Sequence, residues 1–250
     1  MNKPIRILMH IAAAVVFCST ASSYAGDVAR PKGVVELFTS QGCNSCPPAD
    51  RLLDDLAAAG DVIALGFHVD YWDYRGWKDT LGNPENTERQ HQYARAFGTQ
   101  TLYTPQAVIN GSVHVSGASR KAVVGSLADL QRAGGLPIGI SVTHSGSSVI
   151  IDAEAARDGK GSAHLVLVYF DPERPVVIQR GENKGQTITY ANAVTDVQAA
   201  GMWHGKAARF EFPRSEIDRK GGCAVLLQSM SAEGLPGPIL GAAMISRPSI

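Results

Sequence analysis

Cys43 and Cys46 stand two residues apart in Gln41-Gly42-Cys43-Asn44-Ser45-Cys46-Pro47-Pro48. Two thiols at that spacing can exchange electrons with a partner dithiol or disulfide, close an inert disulfide, or offer two soft ligands to copper or zinc. A metal would draw on His68 or His91 as further ligands. The chain has neither a second Cys-x-x-Cys nor a His-x-x-x-His, so no metal and no cofactor is assigned. A second group of chemically able residues lies in His68-Val69-Asp70-Tyr71-Trp72-Asp73. Period-two alternation puts His68 and Asp70 on one face, where they could move protons for thiol exchange. Alternatively, Asp70 and Asp73 cap turns while Trp72 and Trp77 fill a small loop core.

The flanking patterns predict how these residues are held. Val34 to Thr39 is a short β-rich run that leads into the cysteines. After them Leu52, Leu53, Leu56 and Ala57 recur at helical spacing, with Asp50, Arg51, Asp54 and Asp55 on the other face. Pro47 and Pro48 suit the first turn of that helix, where a missing N–H costs little. The pair is therefore expected at a strand-to-helix junction. There the unpaired N–H groups and the positive end of the helix dipole favour a thiolate. Cys43 is the expected exposed nucleophile, and Cys46, one turn on, would resolve the mixed disulfide. Val62 to His68 is predicted to be a strand, Pro84 to Phe97 a helix, and the runs flanking Asn110-Gly111 a hairpin. Ser119 caps a last helix that stops at Gly134-Gly135. The expected order is β-α-β-α-β-β-α.

That order, the Cys43-Asn44-Ser45-Cys46 motif and Tyr103-Thr104-Pro105-Gln106 followed by a strand and Asn110-Gly111 resemble the thioredoxin superfamily. More narrowly, Glu36 to Cys43, His68 to Asp73 and Tyr103 to Gln106 resemble the DUF1223 family of exported bacterial thioredoxin-like proteins of unassigned function. The resemblance implies a cis Thr104-Pro105 bond beside the sulfurs, with Thr104 and Pro105 binding substrate as an extended peptide. It names no substrate.

After Pro137 the sequence changes to about eight short β-rich or alternating runs: 138–143, 148–153, 163–170, 176–180, 187–190, 207–212, 224–230 and 239–245. Gly, Pro, Asp and Ser separate them, which predicts an all-β immunoglobulin-like sandwich. The expected organisation is a signal peptide at 1–25, an α/β thioredoxin-like domain at 26–135 and a β-sandwich domain at 136–250. Arg180 to Gly185 reads as a turn between strands, and Cys223 as a small buried hydrophobe.

Composition and the amino terminus bound the function. Lys3 and Arg6, the apolar run Ile7 to Phe17 and the small residues Ser23 and Ala25 make a secretory signal peptide. The run is too short to span a bilayer. Phe17 stands where a lipoprotein site before Cys18 would need a small residue. The expected location is periplasmic or secreted, where disulfides form, with no membrane span once the signal is removed. With 23 Lys+Arg against 23 Asp+Glu, the chain has no electrostatic drive toward nucleic acid. With 44% hydrophobic residues it has the material for a core. The function expected is thiol–disulfide oxidoreduction on protein thiols, working with a redox partner protein. The alternatives are a non-catalytic binding or assembly protein with a structural disulfide, and a copper- or zinc-binding protein.

Overall fold

The computed structural model describes residues 30–218 and 221–245; the segment expected to be a signal peptide, with Cys18, lies outside the described residues. Over the first half the elements follow the predicted order: β1 (Val34–Thr39), α1 (Pro47–Ala59), β2 (Ile63–His68), α2 (Pro84–Ala96), β3 (Gln106–Ile109), β4 (Val113–Ser116) and α3 (Arg120–Arg132). The ends of these elements have local causes. Pro47 and Pro48 open α1 and Gly60, at φ 72°, closes it. The Asn83 and Ser119 side chains accept from Asn86 N–H and Ala122 N–H to cap α2 and α3. Asn110 and Gly111 both take positive φ in the β3–β4 hairpin.

The second half contains β5 (Ile140–Ser145), β6 (Ser148–Ala153), β7 (Ala163–Val177), β8 (Thr187–Trp203), β9 (Ala208–Pro213), α4 (Arg214–Asp218), β10 (Gly222–Met230) and β11 (Pro236–Ile245). The expected thioredoxin-like domain followed by an immunoglobulin-like sandwich is overturned here. One mixed eight-stranded sheet runs β11-β10-β7-β8-β2-β1-β3-β4 and takes four strands from each half. Only β5, β6 and β9 form a separate sheet. The error has a physical source in strand length. Two of the predicted short runs are the two ends of β7, which is 15 residues long and passes through Pro172 and Pro175. Beyond Phe170 β7 has lost its pairing with β10 and keeps only β8, so these prolines lie on an edge, where a missing donor is tolerated. Most of the 17-residue β8 gives no strand pattern because Ala, Asn, Gln and Gly fill seven of the thirteen positions from Ala191 to Trp203, and such residues carry little strand signal.

The halves are fused by more than sheet order. β2 and β8 pair in parallel at Gly66 and Ala193, and Asn192 Nδ2 donates to the Ala64 carbonyl at 2.8 Å. One face of the sheet carries a single core in which Phe38, Leu65, Phe67 and Val108 join Val168, Phe170, Leu226 and Ile239. The opposite face of β1 and β3 packs Val35, Leu37 and Ile109 against Leu52 and Leu53 of α1 and Val123 and Leu127 of α3. The small sheet covers the β7–β10–β11 side around Val149, Ile151, Trp203 and Leu227. Cys223 is buried in that core. A buried polar network also bridges the halves. Arg89 of α2 donates to Glu36 of β1 at 2.7 Å and to Gln228 of β10 at 3.0 Å, and Tyr93 donates to Glu36. Among the described residues no helix is long and apolar enough to cross a membrane.

Asn110 is a third tie. Its Oδ1 accepts from Val34 N–H at 2.7 Å, its carbonyl accepts from Ile239 N–H at 2.8 Å, and its φ is 48°. Asn110→Ala leaves a buried N–H unpaired and puts alanine in a left-handed backbone, for a loss of about 2 kcal/mol. Urea denaturation should show it as a lower midpoint at unchanged slope. Asn110→Gly, which relieves the backbone, should lose less.

Candidate dithiol site

β1 and β2 run parallel and end side by side, with Thr39 opposite His68. β3 runs antiparallel to β1 and starts at the same end. The loop after β1 therefore brings the cysteines to the sheet edge where β3 begins. Cys43 and Cys46 are joined in a disulfide, with Cα atoms 5.4 Å apart. The Thr104-Pro105 peptide preceding β3 is cis. Between the two loops lies Trp72, packed on Gly42: a Cβ at position 42 would fall 3.3 Å from Trp72 Cβ. Next to it the Tyr71 hydroxyl faces Gln90, Thr104 and Trp72. Tyr71 Oη, Trp72 Nε1, Gln90 Oε1 and Thr104 Oγ1 are all buried, and none closes a hydrogen bond of good geometry among the described residues. Burial pushes the Tyr71 phenol up to about 12, against the opposing pull of those neighbours. A row of unspent polar groups thus joins the disulfide loop to the proline bend.

Two expectations about the sulfurs are corrected. Cys43 was expected to be exposed, and both cysteines are 0% exposed, although Asn44 and Ser45 between them face solvent. The free helix N–H groups expected to favour a thiolate are also missing. Cys46 is the N-cap of α1, Pro47 and Pro48 have no N–H, and the Ala49 and Asp50 N–H groups both donate to the Cys46 carbonyl. What remains is the helix dipole and Ser45 Oγ, 3.4 Å from Cys43 Sγ.

Tied to the cysteine loop through the Gln41 N–H is a buried charged cluster that includes one of the two proposed proton carriers. His68 Nδ1 donates to Asp79 Oδ2 at 2.9 Å, and both side chains are buried. Burial alone would pull the imidazole down. The charge and hydrogen bond of Asp79, helped by Asp50, overcome that and hold it above its usual value. Burial likewise pushes against Asp79, yet His68 and the Gln41 and Leu81 N–H groups hold its carboxyl below the usual range. Asp70 is not part of this cluster. It accepts from the Thr87 hydroxyl at 2.7 Å and fixes the start of α2. His91 is exposed on α2. Among the described residues, no group of three or more His, Cys, Asp or Glu side chains is placed to hold a metal.

Asp79 was not among the candidates read from the sequence, and neither was Asp50. Asp50 reads as one of four polar residues on the outer face of α1, yet it is buried. Its Oδ1 accepts from the Thr39 hydroxyl at 2.7 Å, while Oδ2 is unpartnered. Burial pushes its carboxyl up to about 7, with Thr39 and His68 opposing and Asp79 adding to the rise. It lies four residues after Cys46, the spacing that sets side chains on neighbouring turns of one helix face. The available signal was that spacing, together with an acidic residue directly before the apolar stripe.

Residues 34–228 match the family described as "Protein of unknown function (DUF1223)". A protein from Agrobacterium tumefaciens, solved by X-ray crystallography in a structural-genomics programme, is 44% identical and superposes with a TM-score of 0.79. The match covers 87% of this chain and 95% of that one. No curated protein matches.

The raised Asp50 carboxyl links stability to pH. The folded state holds a proton that the unfolded chain releases near 3.8. The resulting stabilisation is complete below about 4 and is lost as pH rises through about 7. Asp50→Asn should remove that loss, which is on the order of 4 kcal/mol at most. Between pH 5 and pH 8 the melting temperature of the variant should fall less than that of the parent, and thermal melts across this range measure the difference.

Proposed function

The chain belongs to the DUF1223 family, and we propose that it is an exported thiol–disulfide oxidoreductase acting on protein thiols through Cys43 and Cys46. The observation that carries this reading is Asp50, a buried carboxyl pushed up to about 7 with one oxygen unspent, a helical turn beyond Cys46. A disulfide that only staples a fold has no use for such a group. A disulfide that opens and closes must deliver and collect protons in an interior that water does not reach.

In the oxidising direction, a partner thiolate attacks one sulfur of the Cys43–Cys46 bond. The bond breaks, and the departing cysteine thiolate is protonated. The partner's second thiolate then attacks the mixed disulfide, so the partner leaves oxidised and two electrons stay on Cys43 and Cys46 as thiols. The reducing direction is the reverse, with Cys43 attacking and Cys46 resolving. Asp50 and the His68–Asp79 pair act as the local proton store. The cis Thr104-Pro105 edge, with Tyr71 and Trp72 beside it, offers polar groups to an extended substrate segment. The composition of residues 1–25 supports a periplasmic or secreted location.

Burial of both sulfurs favours a second reading, a binding or assembly protein whose disulfide is structural. The two differ in reduction potential. Equilibration in glutathione and dithiothreitol redox buffers, read by alkylation and mass, should give a potential above about −300 mV, and a lower value would mark a structural bond. Disulfide turnover on a protein substrate should disappear in Cys43→Ser. In Asp50→Asn it should persist at a rate about tenfold or more lower near pH 7, as expected for loss of a proton carrier.

A further inference from the structure

The loop that carries buried Cys43 is hydrogen-bonded to a turn far along the chain. Past Phe170, β7 and β8 continue as a two-stranded ribbon that leaves the partner strand β10 behind. Its tip is the run Arg180-Gly181-Glu182-Asn183-Lys184-Gly185. Hydrogen bonds from Ile178 N–H to the Gln186 carbonyl and from Gly185 N–H to the Ile178 carbonyl, at 2.9 and 2.8 Å, close its base. Gly181 and Gly185 take positive φ, 75° and 86°, which tightens the turn. Every residue from 181 to 187 is exposed except Asn183, which is 2% exposed.

Asn183 points inward onto the cysteine loop. Its Nδ2 donates at 2.9 Å to the Gln41 carbonyl and at 2.9 Å to the Cys43 carbonyl, the two acceptors flanking Gly42. Gln186 Nε2 donates to Asn183 Oδ1 at 3.1 Å and fixes the direction of the amide. Outside the turn, Glu182 accepts from Arg75 at 2.8 Å in a half-exposed ion pair. At Gly181 a Cβ would lie 3.0 Å from Trp77 Cβ, so the turn is seated directly on the aromatic loop. Among the described residues, two amide hydrogen bonds, one ion pair and a glycine contact hold the tip down, while Ile178, Ile188 and Tyr190 pack the base of the ribbon against Trp77 and Leu81. A tip held by so few contacts, and exposed at every position from 181 to 187 but Asn183, belongs to the part of a fold that opens locally, below the cost of global unfolding.

We propose that the 181–185 turn is a removable cap on the Cys43–Cys46 disulfide, closed by Asn183 and latched by Glu182 and Arg75. The cap shields the sulfurs from small thiols. It yields to a protein segment whose backbone N–H groups take over the Gln41 and Cys43 carbonyls. This role builds on the redox reading above, but the cap can be tested without it.

The test follows reduction of the disulfide by dithiothreitol in the full chain, with alkylation and mass as readout. A reagent thiolate attacks one cysteine sulfur and the S–S bond breaks. The reagent's second thiol then closes its own cyclic disulfide, so both electrons come from the reagent. Asn183→Ala and Asn183→Asp remove the donors and should speed reduction about tenfold or more, and Glu182→Gln about two- to threefold. In the parent chain, low urea should leave the rate nearly flat, because a local opening exposes little surface. A rate rising with urea as steeply as global unfolding would overturn the cap, as would Asn183 variants that fold normally and are reduced at the parent rate. A potential below about −300 mV with these accelerations intact would remove the redox reading and leave the cap. A higher potential without the accelerations would do the opposite.

Discussion

Three donors from three segments converge on the buried carboxylate of Asp79. The Gln41 N–H leads into the cysteines, His68 Nδ1 stands at the end of β2, and the Leu81 N–H belongs to the loop before α2. A buried carboxylate is tolerable only when its lone pairs are spent and a positive partner is near, and here both conditions are met. Meeting them fixes the geometry of the site. The disulfide loop cannot leave the end of β2 without stranding that charge. Gln41 extends the tie, because its Oε1 accepts from Trp77 Nε1 at 2.8 Å and from the Thr80 N–H at 3.2 Å. The aromatic loop, the cysteine loop and the charged cluster therefore behave as one unit.

Asp50 owes its properties to the same cluster. A lone carboxyl beneath a disulfide would stay protonated over the whole working range, because burial favours the neutral form. The Thr39 hydroxyl and the charge on His68 draw it back to about 7. The His68 charge is in turn held by Asp79, so the carboxylate that anchors the loop also sets the proton affinity one helical turn from Cys46. Tyr190 closes the arrangement from β8, edge-on to His68 at 4.6 Å between ring centres. It also links the charged cluster to the ribbon whose tip is hydrogen-bonded to the cysteine loop.

The chemistry was legible at the level of local pattern. A β-rich run, Cys-x-x-Cys, two prolines and an apolar stripe at helical spacing place the dithiol on a strand-to-helix junction. Asn110-Gly111 announces its hairpin, and Ser119 caps the helix that follows it. The second half was legible only in pieces. Its strands were read as short because Pro172 and Pro175 interrupt β7 and because Ala199, Ala200 and Gly201 give β8 no strand signature. Both strands hold because of neighbours that local pattern does not name: β10 on one side, β2 at Gly66, and Phe210 seated against Gly201.

The identity and spacing of the candidate groups Cys43, Cys46, Thr104-Pro105 and His68 are set by the sequence alone, each within a few residues of chain. The tertiary structure decided what surrounds them. Asn183 lies 140 residues from Cys43 and looks like any turn residue, yet its side chain is hydrogen-bonded to the Cys43 carbonyl. The sequence pattern sets Asp70 beside His68, and the folded chain pairs His68 with Asp79 instead. Burial and pairing are properties of chain segments brought together by the core they share. Here that core joins two halves whose local patterns read as separate folds.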